Sequence, residues 1–217
     1  STGLKISIDI PSGLHANTGQ PLPCAIKADL TLTALGYKIG LFTGQGKEFS
    51  GQIQLISLIP KDAELKAFAR LSPTTISLPP RQAFGHKGSY GHVLVIGGNR
   101  LDTGINQGQG MAGASLLTAS TTFATGVGKV TVACHSDFHP AIITALPDAM
   151  TADLHHIDSV NALIGQVDVV ALGMGFGRDE TSFDLFDSYL AATLAQDKTC
   201  VIDADGLYHL ANISDYR

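Results

Sequence analysis

The apolar positions fall into short runs whose spacing changes along the chain. Residues 4–10 (LKISIDI) alternate apolar and polar side chains and break at Pro11-Ser12-Gly13, which predicts a half-buried strand ending in a turn. A second strand is expected over 28–35 (ADLTLTAL), after a loop containing Asn17-Thr18-Gly19, and a third over 52–59 (QIQLISLI), stopped by Pro60. No helix is expected in residues 1–60, and three strands alone cannot bury a core. Residues 61–70 (KDAELKAFAR) have helical composition, acidic near the start and basic at the end, as the helix dipole favours. Residues 72–81 (SPTTISLPPR) read as a linker, because Pro79-Pro80 resists both helix and central strand.

Beyond the linker the pattern becomes strand, glycine turn and helix, repeated. An apolar strand over 92–96 (HVLVI) ends in Gly97-Gly98-Asn99, and a long glycine-rich loop leads to a helix over 111–124. Gly126-Val127-Gly128 stops that helix, and strand 129–134 and a short helix over 140–146 follow. Strand 168–172 runs into Gly173-Met174-Gly175-Phe176-Gly177, then a helix over 181–195, strand 199–202 and a last helical turn over 207–211. No element is expected between 147 and 167, where His155 and His156 read as exposed loop. Fully apolar strands alternating with helices predict a mostly parallel sheet covered on both faces.

Composition narrows the function. The 217 residues suit one domain or two small ones, and 44% apolar content with a net charge of −5 excludes a disordered chain. An acidic chain without a run of Lys and Arg does not grip nucleic acid through phosphates. No apolar stretch approaches the roughly 18–20 residues of a membrane helix, and the first residues do not resemble a signal peptide. Cys24, Cys134 and Cys200 are odd in number and far apart, with no C-x-x-C pair, so reduced thiols and a cytoplasmic location are expected. His135 and His139 have the spacing of a metal-binding helix pair. Pro140 closes the segment, however, and Asp137 would point elsewhere on a helix, so no metal is expected there.

Two sets of residues carry candidate chemistry. The turns after strands 92–96 and 168–172 are where an open parallel sheet binds ligands, and glycines there let backbone amides approach a phosphate. They could equally be tight structural connections. Neither matches G-x-x-x-x-G-K-[ST] or G-x-G-x-x-G, so Walker and Rossmann fingerprints are rejected. The carboxylates Asp9, Asp203 and Asp205 also stand at strand ends. Each could take a proton, bind ribose hydroxyls or hold a cation, or could simply cap loop amides; for Asp203 and Asp205 capping or support is the expectation. Ser12 could offer its oxygen to a cation or cap a helix.

Taken together, Asp9-Ile10-Pro11-Ser12-Gly13-Leu14, Asn17-Thr18-Gly19, Lys27-Ala28-Asp29, Thr31-Leu32-Thr33 and KIGLFTGQG at 38–46 resemble the end of the NAD(P)HX epimerase domain. From Leu78-Pro79-Pro80-Arg81 onward, HKGSYGHVLVIGGN, GMAGA, GVGKVTVAC, PDAM, GMGFGRD and VIDADGL resemble the ADP/ATP-dependent NAD(P)HX dehydratase domain. The resemblance implies an α/β chain. Residues 1–60 would be the C-terminal part of a Rossmann-like three-layer epimerase domain, 61–81 a linker and the start of the second domain, and 82–217 the N-terminal part of a ribokinase-like dehydratase domain.

It further implies repair of hydrated nicotinamide nucleotides: interconversion of R and S forms, and ADP- or ATP-driven loss of water from the S form. Asp9 would contact substrate and act in catalysis, Ser12 would help hold a potassium ion, and Ala114 and Gly175 would contact the dehydratase substrate. Potassium, ADP or ATP, and magnesium are the implied cofactors; the partner is the small molecule NAD(P)HX, without nucleic acid or membrane, in a homo-oligomer of the full-length protein. A small-molecule kinase of the ribokinase-like group and an inactive nucleotide-binding module are the alternatives. Met174 departs from the family, which has proline there, and the loop over 99–110 is longer than usual. The epimerase's upstream glycine- and asparagine-rich loop, the dehydratase's P-H-P-G-E segment and its G-[ST]-G-D turn, whose Asp is the family's catalytic base, have no counterpart. The expectation is therefore an internal stretch of a longer enzyme, itself without either activity.

Overall fold

The computed structural model describes residues 3–58, 67–72, 77–78, 80–81, 83–101 and 108–213. Most of the helix expected over 61–70, and residues 102–107 of the long loop, lie outside the described residues. The chain divides into two compact units, Ser1–Ile76 and Ser77–Arg217.

The first unit holds three parallel strands in chain order, β1 (Ile6–Ile8), β2 (Leu30–Ala34) and β3 (Gln52–Ile56). Ile6 stands opposite Leu30, and Leu30 opposite Gln52. All three strands are shorter than their alternation suggests. A helix also occurs where none was expected: α1 (Gly46–Ser50), preceded by a 3-10 turn at Ile39–Leu41. Its sequence, GKEFS, has no apolar period. It forms because Gly46 packs directly against the Gly40 carbonyl and the Ser50 hydroxyl donates back to the Gly46 carbonyl at 2.7 Å. Thr31, also buried, donates to the Ser50 carbonyl at 2.7 Å and ties β2 to this helix.

The second unit is a three-layer α/β arrangement. Its five-stranded parallel sheet has the order β10-β9-β4-β7-β8, with β4 (His92–Ile96) at the centre, β7 (Lys129–Cys134) and β8 (Met150–Asp153) to one side, and β9 (Val169–Leu172) and β10 (Thr199–Ile202) to the other. A small antiparallel pair, β5 (Arg100–Leu101) and β6 (Gln109–Gly110), stands in the long loop before α2 (Ala112–Ala124). Helices α3 (His139–Ala145), α4 (Ile157–Gln166), α5 (Glu180–Ala195) and α6 (Asp205–Leu210) complete it.

The run HVLVI makes a central strand because successive side chains enter opposite cores. Leu94 and Ile96 pack with Ile164, Phe176, Phe186 and Tyr189, whereas Val95 packs with Ala119, Val132 and Ile142. Cys134 is fully buried in the second core, and burial pushes its thiol up to about 12, which suits a small apolar group. All three cysteines are free.

Two elements between 147 and 167 have no counterpart among the expected ones. Strand β8, MTAD, is an edge strand paired only with β7, so it carries no apolar run to announce it. Helix α4 buries Val160 and Ile164, four residues apart, beneath polar neighbours.

Candidate active site

Strand order reverses at β4: the chain passes from β4 to β7 and β8 on one side, then crosses to β9 and β10 on the other. The ends of β4 and β9 therefore open a crevice at the C-terminal edge of the sheet, the place where such sheets bind ligands. Gly98, after β4, has φ +77°, and a Cβ there would lie 2.4 Å from Ser115 Oγ and 3.2 Å from Cys134 Cβ. Only glycine lets this turn pass between α2 and β7. Gly98 N–H donates to the carbonyls of Met174 (2.9 Å) and Gly175 (3.1 Å), and Asn99 N–H donates to Gly175 (2.8 Å). The two glycine turns are thus hydrogen-bonded into one floor.

Asn99 is buried, with 2% exposure, and it fastens that floor. Its amide nitrogen donates to the Phe176 carbonyl (3.1 Å) and to Ser182 Oγ (3.4 Å). Its Oδ1 accepts from Arg100 N–H (2.8 Å) and from His155 Nε2 (3.0 Å). His155 is exposed, as expected, but it reaches into the site from a long sequence distance; His156 precedes α4 and bonds Ser159 Oγ at 2.8 Å.

Of the sequence candidates of this unit, Gly175 packs against the residue that starts α2. Gly175 (φ +62°) lies so close to Met111 that a Cβ would sit 2.3 Å from its carbonyl oxygen. Met111 precedes α2, its N–H donates to the Asn99 carbonyl (2.9 Å), and no side chain caps the helix. Ala114 is exposed in the first turn of α2, which starts beside Gly175 at Met111, and the helix's uncapped amides and positive dipole end there favour an anion. Asp205 begins α6 and turns back to the second glycine turn: Oδ2 accepts from Gly177 N–H (3.0 Å) and Oδ1 from Arg178 Nε (2.7 Å). Buried His209 donates from Nε2 to the Gly177 carbonyl at 2.7 Å. Asp205 has the supporting role expected of it; Asp203 is exposed.

His135 and His139 do not share a helix face, because His135 stands in extended backbone ahead of a 3-10 turn and only His139 begins α3. Asp137, expected to point elsewhere, comes within 3.8 Å of His135 and pairs with Arg100. Among the described residues no group of three metal-binding side chains forms.

In the first unit Asp9 follows β1 with φ +69°, and its Oδ1 gathers Lys38 Nζ, Ala34 N–H (3.1 Å) and Thr33 Oγ1 (3.4 Å). The Lys38 ammonium, then the Ala34 amide, hold the Asp9 carboxyl below its ordinary 3.8 against the opposing effect of burial, so it is ionised at neutral pH. Ser12, by contrast, is exposed, and its carbonyl accepts from Ile26 N–H at 2.9 Å; no hydrogen bond joins Ser12 to Asp9. A hard cation takes six or more oxygens. Asp9 Oδ1 is already committed to an ammonium, so the described residues here do not by themselves compose a potassium site.

Lys38, Asn99, Arg178 and His209 were not singled out from the sequence. Lys38 and Asn99 lie within motifs that were noticed, but their partners stand far away in the chain.

Residues 103–216 match the family described as NAD(P)H-hydrate dehydratase. The chain belongs to that family. Residues 1–40 also match the family described as YjeF-related protein N-terminus. The bifunctional NAD(P)H-hydrate repair enzyme Nnr of Vibrio cholerae is 33% identical over 221 residues, which cover 97% of this chain and 41% of that protein. Its Escherichia coli counterpart is 34% identical over 181 residues, covering 81% and 33%. The chain thus spans about two fifths of the length of the first of these relatives. Among solved structures, the hypothetical protein SMU.573 of Streptococcus mutans superposes with a TM-score of 0.54 at 32% identity, over 63% of this chain and 46% of its own. A ribokinase-like superfamily protein from Enterococcus faecalis gives 0.55 at 24% identity, over 63% and 45%, and shows the shared fold.

Proposed function

We propose that a protein carrying this chain repairs hydrated nicotinamide nucleotides, the first unit contributing to epimerisation and the second to nucleotide-dependent dehydration. The observation that supports this most is the meeting of Gly98, Gly175 and the uncapped first turn of α2 at one crevice of a dehydratase-family sheet. The uncapped amides at the start of α2 can hold a phosphate despite the net charge of −5, because local dipoles act at contact distance.

In this reading Ala114 and Gly175 contact the hydrated substrate. ADP or ATP, bound with magnesium, supplies the phosphoryl group that turns the substrate hydroxyl into a better leaving group. The chain's own residues orient: Asn99 fixes the two turns together, and Asp205 and His209 fix the second from behind. Asp9, ionised beside Lys38, faces positive charge that develops at the carbon next to the ring nitrogen during epimerisation. Ser12, exposed after β1, would offer one oxygen to a potassium ion, which the described residues do not by themselves surround. Free thiols support a cytoplasmic setting, and no described helix is long and apolar enough to cross a membrane. We place the full-length protein in a homo-oligomer, acting on small molecules alone.

The test is to incubate protein carrying this chain with R and S forms of hydrated NADH, with and without ADP, and to follow the near-ultraviolet absorbance of the reduced nicotinamide. ADP-dependent restoration of NADH with release of phosphate is expected. A stable phosphorylated metabolite with no NADH would establish the kinase alternative instead.

A further inference from the structure

We propose that Arg178 is a preorganised phosphate-recognition residue at the rim of the crevice, binding a phosphate of the nucleotide held there; the inference rests on the functional reading just given. The geometry separates Arg178 from an ordinary surface arginine. Its side chain is 61% exposed, whereas that of its partner Asp205 is only 15% exposed. Asp205 divides its two oxygens, Oδ2 accepting from Gly177 N–H and Oδ1 from Arg178 Nε. Only Nε, on the inner side of the guanidinium, is spent.

The guanidinium carbon lies 4.8 Å from the centre of the Tyr208 ring, so the plane is also held by a cation–π contact. The terminal Nη1 and Nη2 groups have no protein partner among the described residues. A planar fork fixed at its base and along one face, with two parallel N–H groups free, matches the bidentate geometry of a phosphate. Its ordering cost is met within the protein rather than on binding.

The position supports the same reading. Gly177, the preceding residue, is anchored on both sides, its N–H to Asp205 and its carbonyl to His209. A Cβ on Gly177 would come within 3.5 Å of Met111 Cε, so Arg178 stands one residue from the mouth bordered by Met111 and Gly175.

The experiment is a nuclear magnetic resonance titration of the full-length protein carrying this chain with ADP, NADH and pyrophosphate in separate arms, followed at the Arg178 Nε–H and the Gly177 amide. The expected result is a saturable shift of both signals with ADP or NADH, the responding arm identifying the phosphate's source, and a weaker shift with pyrophosphate. Arg178→Gln is expected to weaken the responding nucleotide about 10- to 100-fold, and Asp205→Asn by a smaller factor, because it frees the fork without removing it. Unchanged amide protection in β4 and β9 would show that Arg178→Gln is folded. Equal affinity in Arg178→Gln, or an Arg178 Nε–H that does not move at saturation, overturns the subsite and leaves the functional reading standing. A wild-type full-length protein that binds neither nucleotide overturns both.

Discussion

The two units use the same kind of strand with opposite results. In the second, Leu94, Val95 and Ile96 are all fully buried, because α4 and α5 cover one face of the sheet and α2 and α3 the other. In the first, Ile6 and Ile8 of β1 are 51% and 71% exposed, and the buried positions of β2 are threonines. Parallel pairing is present in both. An apolar strand therefore contributes little until both its faces are covered.

The largest test of that contrast is a pair of truncations. Phe186→Ala, in the two-sided core, is expected to cost about 3–5 kcal/mol, whereas Ile8→Ala should stay within about 0.5 kcal/mol. Urea unfolding with residue-resolved hydrogen exchange reads each unit separately, and similar losses at both sites would abolish the distinction. Next comes the floor of the crevice. Gly98→Ala forces a side chain into left-handed backbone against Ser115 and Cys134, at a cost of about 2–4 kcal/mol. Gly113→Ala, in open space on α2, should instead stabilise by about 0.5–1 kcal/mol.

The buried polar groups sharpen the comparison by pH. His92 is buried and bonded to Thr131 Oγ1 at 2.8 Å; desolvation, and then Lys129, lower its pKa below 6.5 despite Asp168. The unfolded chain then takes up the proton more readily, so the contribution of neutral His92 is complete above about 6.5 and is lost as pH falls through the depressed folded value. His92→Gln should flatten the stability profile of the second unit in that window.

The smallest effect belongs to the half-exposed pair of the first unit. Lys38→Met should change stability by no more than about 1 kcal/mol and let the Asp9 pKa rise toward 3.8, measured from its carboxyl carbon shift. An Asp9 that titrates unchanged would remove Lys38 as the group that lowers its pKa.

Legibility followed the range of the interactions. Strands β4, β7 and β10 announce themselves through apolar runs, and α5 was expected over 181–195; that Asp179 caps it, accepting from Ser182 N–H at 2.8 Å, is seen only in the structure. Strand β8 and helix α4 do not, because an edge strand needs no continuous apolar run and a helix with one buried stripe reads as mixed sequence. The glycine turns were visible as motifs. Their union through Asn99 was not, since Asn99, Phe176, Ser182 and His155 are separated by up to 83 residues. His135 and His139 show the converse: a suggestive spacing carries no geometry when a turn intervenes.

The sequence by itself determined the alternation of strands and helices, the parallel sheet of the second unit and the placement of glycines at its ligand edge, because these follow from local periodicity and backbone freedom. Only the tertiary structure decided that Asn99 locks two turns into one floor, that Lys38 lowers the pKa of Asp9, and that Asp205 and Tyr208 hold Arg178 with its fork open. Those outcomes depend on distances across the fold, and hydrogen bonds and ion pairs act only over a few ångströms.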